Sequence, residues 1–264
     1  MSQTEKGYVD PRYLAIAAAA ARPIFERTIS DLRLSPGHSV LDVGCGPGLH
    51  TVAMAGIVGK TGRVTGVDHD ARMIDAAQEH ARQAGVDSWV THKTGDAYAL
   101  PFDDGAFERT RSERMLQHLL DPSRAVAELV RVTAPGGRVV IADSDFGSLS
   151  FDGVEASLER RMVAFKAGQS LHNGYSGRTL WRLLRGAGLG DVTVQPIAMH
   201  STVLGVARLI LMLDDVETRA EAATAVSAAE LSAWREQLAA AESAGNFYVS
   251  LTVVIAAGTK RDVS

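Results

Sequence analysis

The chain has 264 residues, 46% of them hydrophobic, enough core for one α/β domain with additions rather than two full domains. A net charge of −4, a pI near 6.1 and the lack of any Lys/Arg block exclude an electrostatic nucleic-acid groove and an anionic-membrane surface. Its one cysteine, Cys45, excludes an internal disulfide. No basic-then-apolar leader is evident, and the most apolar run, 203–213, is too short for a bilayer and carries Arg208. No membrane span and a cytoplasmic location are therefore expected.

In chain order, residues 1–38 read as an N-terminal helical cap. Asp10-Pro11 pairs an N-cap acid with proline at the first helical position. Tyr13, Leu14, Ala17, Ala18, Ala21, Ile24, Phe25 and Leu32 make an apolar face, and Pro23 is expected to kink or split the helix. Such a helix packs on a sheet edge or covers a ligand, which makes Tyr8 and Tyr13 candidates for a substrate contact. Val40, Leu41 and Val43 predict a buried strand. Gly44, Gly46 and Gly48 follow at alternate positions, and a helical pattern opens at Leu49. Strand, glycine turn and helix N-terminus together make a nucleotide-type site, with free N–H groups aimed at an anionic group. The spacing G-x-G-x-G differs from the dinucleotide fingerprint G-x-G-x-x-G.

A second strand, 63–68, ends in Asp68. A carboxylate at the carboxyl end of such a strand reaches a ribose diol. Asp70 caps a helix over 71–84 with Met73, Ile74 and Ala77 inward. Residues 88–93 form a third strand, followed by Gly95-Asp96-Ala97-Tyr98-Ala99-Leu100-Pro101-Phe102. The fourth strand, 107–112, holds Glu108, Arg109 and Arg111, which conflicts with burial on both faces and implies acid partners or a wet face. Asp121-Pro122 starts a helix, Ala134–Arg138 reads as a turn, and 139–143 is the fifth strand. A helix over 151–168, another over 177–189 and a sixth strand from Val192 to about Met199 follow. Residues 200–245 are helical, with a Ser227-x-x-Glu230 capping box, and 246–258 hold the last strand.

Three of these segments carry a resemblance. Asp42-x-Gly44-x-Gly46-x-Gly48 resembles motif I of the class I S-adenosylmethionine-dependent methyltransferases. Gly95–Phe102 resembles that family's G-D-A-x-x-L-P-F segment. Ser112–Leu119 is similar to the segment after the fourth strand in small-molecule members, of the ubiquinone/menaquinone-biosynthesis type (methyltransferase type 11). The resemblance covers roughly 40–190 and the last strand. It implies an α/β fold: a Rossmann-like, seven-stranded, mostly parallel sheet with helices on both faces, the last strand antiparallel, and helical lid insertions. One domain over 1–264 would then comprise the cap, a cofactor-binding core at 39–145, lids at 146–176 and 200–245, and the last strand. The implied cofactor is S-adenosylmethionine, left as S-adenosylhomocysteine. The resemblance assigns Asp42, Gly44, Cys45, Gly46 and Gly48 to the cofactor loop, and Asp68 with His69 to the ribose end. Met73 would lie under the adenine, Asp96 and Ala97 at its amino group and ring nitrogen, and Ser112 after the fourth strand. The (Asn/Asp)-Pro-Pro-aromatic motif of DNA amino methyltransferases is absent.

Methyl transfer from a sulfonium is an in-line displacement, served by alignment and water exclusion. A base helps where the acceptor must lose a proton. His118 is the candidate base, two helical turns along if a helix begins near Glu113. Glu113 reads as a second base or a cofactor contact. Asp143, Asp145, His172 and Tyr175, with Tyr13, are candidate substrate contacts. The bland readings stand beside these: a packing histidine at 118, turn caps at 143 and 145, a surface histidine at 172. No histidine spacing suits a metal. The expected reaction methylates an O, C or N nucleophile of a small organic molecule, a quinol, phenol or specialised metabolite. The rivals are a cyclase-like or non-catalytic protein that binds the same cofactor and, less favoured, an NAD-dependent oxidoreductase. The acceptor, and whether the chain forms a homodimer, stay open.

Overall fold

The computed structural model describes residues 11–261, with side chains described from residue 22. Tyr8, Asp10 and the Tyr13 side chain therefore lie outside the described residues. Seven strands form one sheet: β1 (Ser39–Val43), β2 (Arg63–Asp68), β3 (Val90–Thr94), β4 (Phe107–Glu113), β5 (Thr133–Phe151), β6 (Gly190–Ser201) and β7 (Val249–Thr259). Their order is β3-β2-β1-β4-β5-β7-β6, six parallel and the last antiparallel. The direction of β7 follows from its bonds. The Gly136 N–H, near the start of β5, donates to Lys260 O just past the end of β7, and Lys260 N–H returns to Gly137 O, both at 2.9 Å. The helices described are α1 (Pro11–Leu32), α2 (Leu49–Val58), α3 (Ala71–Gln83), α4 (Pro122–Val132), α5 (Ala156–Phe165), α6 (Ser176–Gly186), α7 (Leu204–Leu211), α8 (Leu213–Ala222) and α9 (Ala228–Ser243).

The chain divides into two compact units. One comprises Ile24–Asp145, Leu171–Ile197 and Val253–Ser264; the other comprises Phe146–Ser170 and Ala198–Thr252 with the stretch up to Pro23. In the first unit, connections from β1 run to either side: β2 lies on one flank and β4 on the other. That reversal opens a crevice at the carboxyl ends of β1 and β4, where α/β sheets bind ligands. Apolar side chains set the strands. Val40, Leu41 and Val43 of β1 are buried, as are Val139, Val140 and Ile141 of β5. On α4, Ala125, Val126, Leu129 and Val132 recur at three- and four-residue spacing and are all buried, while the Asp121 carboxylate caps the Arg124 N–H.

Three local expectations are corrected. α1 runs through Pro23 as one helix. Ile24, Thr28 and Leu32, four residues apart, are all buried and hold the chain onto the sheet past the missing N–H. Residues 134–137 lie inside β5 rather than ahead of it: Phe107 pairs with Thr133 and Arg109 with Arg138, so the intervening residues bulge out of the ladder. Residues 171–176, expected within an insertion, belong to the first unit, where the Asn173 N–H donates to Gln117 O at 3.0 Å.

In the second unit, α9 begins with the expected capping box between Ser227 and Glu230. Its Trp234 is buried edge-on to Phe151, and the indole N–H donates to Glu217 Oε1 at 3.1 Å. Glu217 is itself buried and also meets Arg208 at 3.1 Å and Arg235 at 2.8 Å, so its charge is compensated.

Candidate functional site

The glycine loop leaves β1 and is stitched to β2. The Gly44 and Cys45 N–H groups both donate to Val67 O, at 2.7 and 3.0 Å. Gly46 N–H donates to Asp68 Oδ2 at 2.9 Å, and Asp70 N–H to Oδ1 at 3.0 Å. The ring of exposed His69 lies 3.3 Å from the same carboxylate. Asp68 O in turn accepts the Gly95 N–H at 2.9 Å, one residue before Asp96. A continuous set of hydrogen bonds thus joins Gly46, Asp68 and the Gly95-Asp96 turn. Exposed Asp96 bends that turn by accepting the Tyr98 N–H at 2.9 Å, and Ala97 beside it is half-buried. Met73, also half-buried, stands in the first turn of α3 behind the Asp70 cap.

Two glycines have steric reasons. Gly48 precedes α2 at φ 79°, and a Cβ there would come within 2.7 Å of Ala77 Cβ. Gly46, at φ 52°, has no atom within 4 Å of where a Cβ would stand, so the loop borders open space there. No side chain caps α2, which leaves its first N–H groups and positive dipole end for a ligand. Cys45 is buried, and burial pushes its thiol far above the usual range, so it is an inert loop side chain.

Behind the loop lies a buried charge cluster. Register sets Arg111 opposite Asp42, and Arg111 Nη1 donates to both Asp42 oxygens at 3.0 and 3.1 Å. Its Nη2 bonds Glu113 and, at 3.0 Å, His50 Nδ1; its Nε reaches Thr28 at 3.3 Å. The Phe25 ring stacks on His50 with centroids 4.4 Å apart. Burial works against the Arg111 charge, but Asp42 and Glu113 outweigh it and the net shift is upward. Burial pushes the Asp42 carboxyl up while Arg111 pulls it back. Burial first, and then Arg111, lower His50 to about 4, so its imidazole is neutral. The sequence's charged central strand is thereby explained. Arg111 takes acid partners, while Glu108 and Arg109 occupy the wetter end, where Glu108 accepts the Ser39 N–H at 2.9 Å.

After β4 the expected helix from Glu113 does not form. Arg114 takes φ 53°, and a short 3₁₀ turn over Leu116–His118 follows. His118 is exposed on that turn, its Nε2 3.0 Å from Gln117 Nε2. Ser112, on the opposite face of β4 from Glu113, is buried with no hydrogen-bond partner for its hydroxyl.

The substrate-facing role expected of Asp143 is corrected. Asp143 is fully buried, and its oxygens accept the N–H groups of Gln117 at 3.1 Å and Ser144 at 2.9 Å. Burial raises its carboxyl to about 7 against the pull of those bonds. It anchors the turn that carries His118. Asp145 is paired with Arg178 at 2.8 Å, and the Arg178 guanidinium lies 5.0 Å from the Tyr175 ring centroid. His172 is exposed nearby in sequence. The structure therefore forms two groups, the loop with Asp68 and Asp96, and the 3₁₀ turn with Asp143, Asn173 and the Asp145–Arg178–Tyr175 set. The sequence reading missed His50 and the bridging role of Arg111. Two arginines in a central strand were the available signal; the partners were not readable without the register.

A family model described as a methyltransferase domain matches residues 41–141. An uncharacterised 37.1 kDa protein of transposon TN4556 from Streptomyces fradiae is 33% identical over 257 residues, 97% of this chain and 72% of that protein. Demethylmenaquinone methyltransferase of Desulfitobacterium hafniense is 32% identical over 118 residues, 45% of this chain and 47% of its own length, so the match spans about half of that relative. Among solved structures, YcgJ of Bacillus subtilis shares the fold, with a TM-score of 0.65 at 19% identity over 92% of this chain and 100% of the other. The chain belongs to the class I S-adenosylmethionine-dependent methyltransferases, and S-adenosylmethionine is the cofactor of its family.

Proposed function

We propose that the chain methylates an O, C or N nucleophile of a small organic molecule of the quinol, phenol or specialised-metabolite kind. The observation that carries this reading is the hydrogen-bonded set joining Gly46, Asp68 and the Gly95-Asp96 turn. That set supplies donors that suit a carboxylate and acceptors that suit a diol and an amino group within one hydrogen-bonded network. When bound, S-adenosylmethionine supplies a methyl group already activated on a sulfonium sulfur. The rest is done by residues of the chain. The α2 N-terminus and the Gly44–Gly48 loop hold the methionyl carboxylate. Asp68 retains lone pairs beyond those used by Gly46 and Asp70, and these take the ribose hydroxyls. Met73 lies under the adenine, with Asp96 and Ala97 at its polar edge.

His118, fixed through the Gln117 N–H bond to Asp143, takes the acceptor's proton where one must leave. Tyr175, His172 and the Arg178-paired Asp145 supply substrate contacts. The name of the Desulfitobacterium relative, a demethylmenaquinone methyltransferase, supports a quinol-type acceptor. Calorimetry with S-adenosylmethionine and with NAD, followed by labelled-methyl transfer to a panel of quinols and phenols, tests the reading. Binding of the first ligand alone and label on a panel member are expected. Tight NAD binding without S-adenosylmethionine binding removes the reading; cofactor binding with no transfer to any nucleophile favours the non-catalytic alternative.

A further inference from the structure

Within the buried cluster one atom is left over. Arg111 is shared: Nη1 serves both Asp42 oxygens, and Nη2 serves Glu113 Oε2. Glu113 Oε1 is buried with no hydrogen-bond partner, and Arg114 Nε stands 3.6 Å away, beyond hydrogen-bond reach. His50, held neutral, adds no positive charge. An ionised oxygen buried in that way is costly unless a donor arrives.

Its location says which donor. Val43 pairs with Ser112, so Glu113 stands one step further along, level with Gly44 at the mouth of the crevice. It shares a face of β4 with Arg111, and its carboxylate lies 3.8 Å from His50 in the first turn of α2. A ligand whose carboxylate sits on the α2 N-terminus and whose ammonium lies one carbon away brings a cation to this place. We infer that Glu113 Oε1 is the acceptor for the α-ammonium of the cofactor's methionyl group, and that Arg111 and His50 are positioning residues that fix it. Asp42, although it holds the motif position, is fully buried with both oxygens on the Arg111 guanidinium, whereas Glu113 Oε1 is the carboxylate oxygen of the cluster left without a bond. The inference rests on the cofactor reading above and makes Glu113 a cofactor contact rather than a base.

The test compares S-adenosylhomocysteine with its deaminated analogue, which lacks only the ammonium, by calorimetry at pH 7.5. The wild-type chain should prefer S-adenosylhomocysteine by about 10- to 100-fold, the worth of one charge-assisted hydrogen bond. Glu113→Gln should bring the two ligands within about threefold of each other, chiefly by weakening S-adenosylhomocysteine. Should circular dichroism show that variant unfolded, Glu113→Asp keeps the charge beside Arg111, withdraws the oxygen by one methylene and should likewise narrow the preference. A preference that survives substitution, or an equal loss for both ligands, overturns the assignment. Failure of the wild-type chain to bind S-adenosylhomocysteine at all overturns the cofactor reading on which it rests.

Discussion

Replacing Arg111 with Met tests the buried cluster most directly. The side chain is fully buried and makes every charge-compensating bond in the group: two to Asp42, one each to Glu113 and His50, and one to Thr28. Met keeps most of the volume and removes the charge. Asp42 is then left in a dry site without its cation, and Glu113 keeps only the more distant Arg114 at 3.6 Å. Breaking a buried pair in this way costs about 3–5 kcal/mol, a large part of the ~5–15 kcal/mol that holds a domain together. The pH dependence carries its own sign. Burial raises the Asp42 carboxyl, and removing Arg111 takes away the charge that pulls it back down. Between its unfolded value and the raised one the folded variant binds more protons than its unfolded chain, so its stability rises as pH falls. Urea denaturation followed by circular dichroism should show a deficit of about 3–5 kcal/mol at pH 8, shrinking to less than about half of that at pH 5. The triple variant Asp42→Asn, Arg111→Met, Glu113→Gln, which buries no charge, should recover most of the loss. A deficit under about 1 kcal/mol at pH 8, or one that does not shrink in acid, would refute the claim that Arg111 compensates both acids.

Gly46→Ala separates binding from folding. Its φ of 52° costs an L-residue about 1–2 kcal/mol of folding stability, carried by the free and bound chain alike, while the added methyl enters the open space beside the loop, so S-adenosylhomocysteine affinity measured by calorimetry should fall by more than about tenfold through the methyl's contact with the ligand. His118→Gln should lower kcat by about 10²-fold or more and remove the acid limb of the pH–rate profile; the cofactor Kd should stay within about twofold, since the proposed role of this exposed side chain is toward the acceptor and not the cofactor. Glu217→Ala strips the acceptor from the buried Trp234 indole and from Arg208 and Arg235, and should destabilise the chain by about 2–4 kcal/mol in urea melts, with S-adenosylhomocysteine binding by native protein unchanged.

Much of the fold was legible because short-range signals coincide. Asp70 and Asp121 cap the helices that their positions predict, and Ser227 with Glu230 forms the box that the spacing predicts. The alternating glycines marked a strand-to-helix turn, and its φ values are those that glycine tolerates. What was not legible depends on long-range pairing. The Ala134–Gly137 bulge is set by where β4 stops needing partners, which lies in the β4–β5 register and not in the Pro-Gly-Gly letters. The 3₁₀ turn after β4 has apolar residues at helical spacing, yet Arg114 at positive φ ends the strand and Asp143, 26 residues on, captures the Gln117 N–H. No local window contains both partners of that bond.

The same reasoning separates the two acids that a motif alone would rank together. Asp68 and Asp42 each end or nearly end a strand in the sheet's first half. Asp68 stands opposite Thr94 in the β2–β3 register, with no cation across from it, so its oxygens turn to the backbone N–H groups of Gly46 and Asp70. Asp42 stands opposite Arg111, and a carboxylate facing a buried guanidinium in a neighbouring strand is captured by it before any ligand arrives. The pairing residue on the adjacent strand therefore decides whether such an acid bonds a side chain or backbone N–H groups. Here the guanidinium that takes up Asp42 also bonds Glu113, two residues along the same strand.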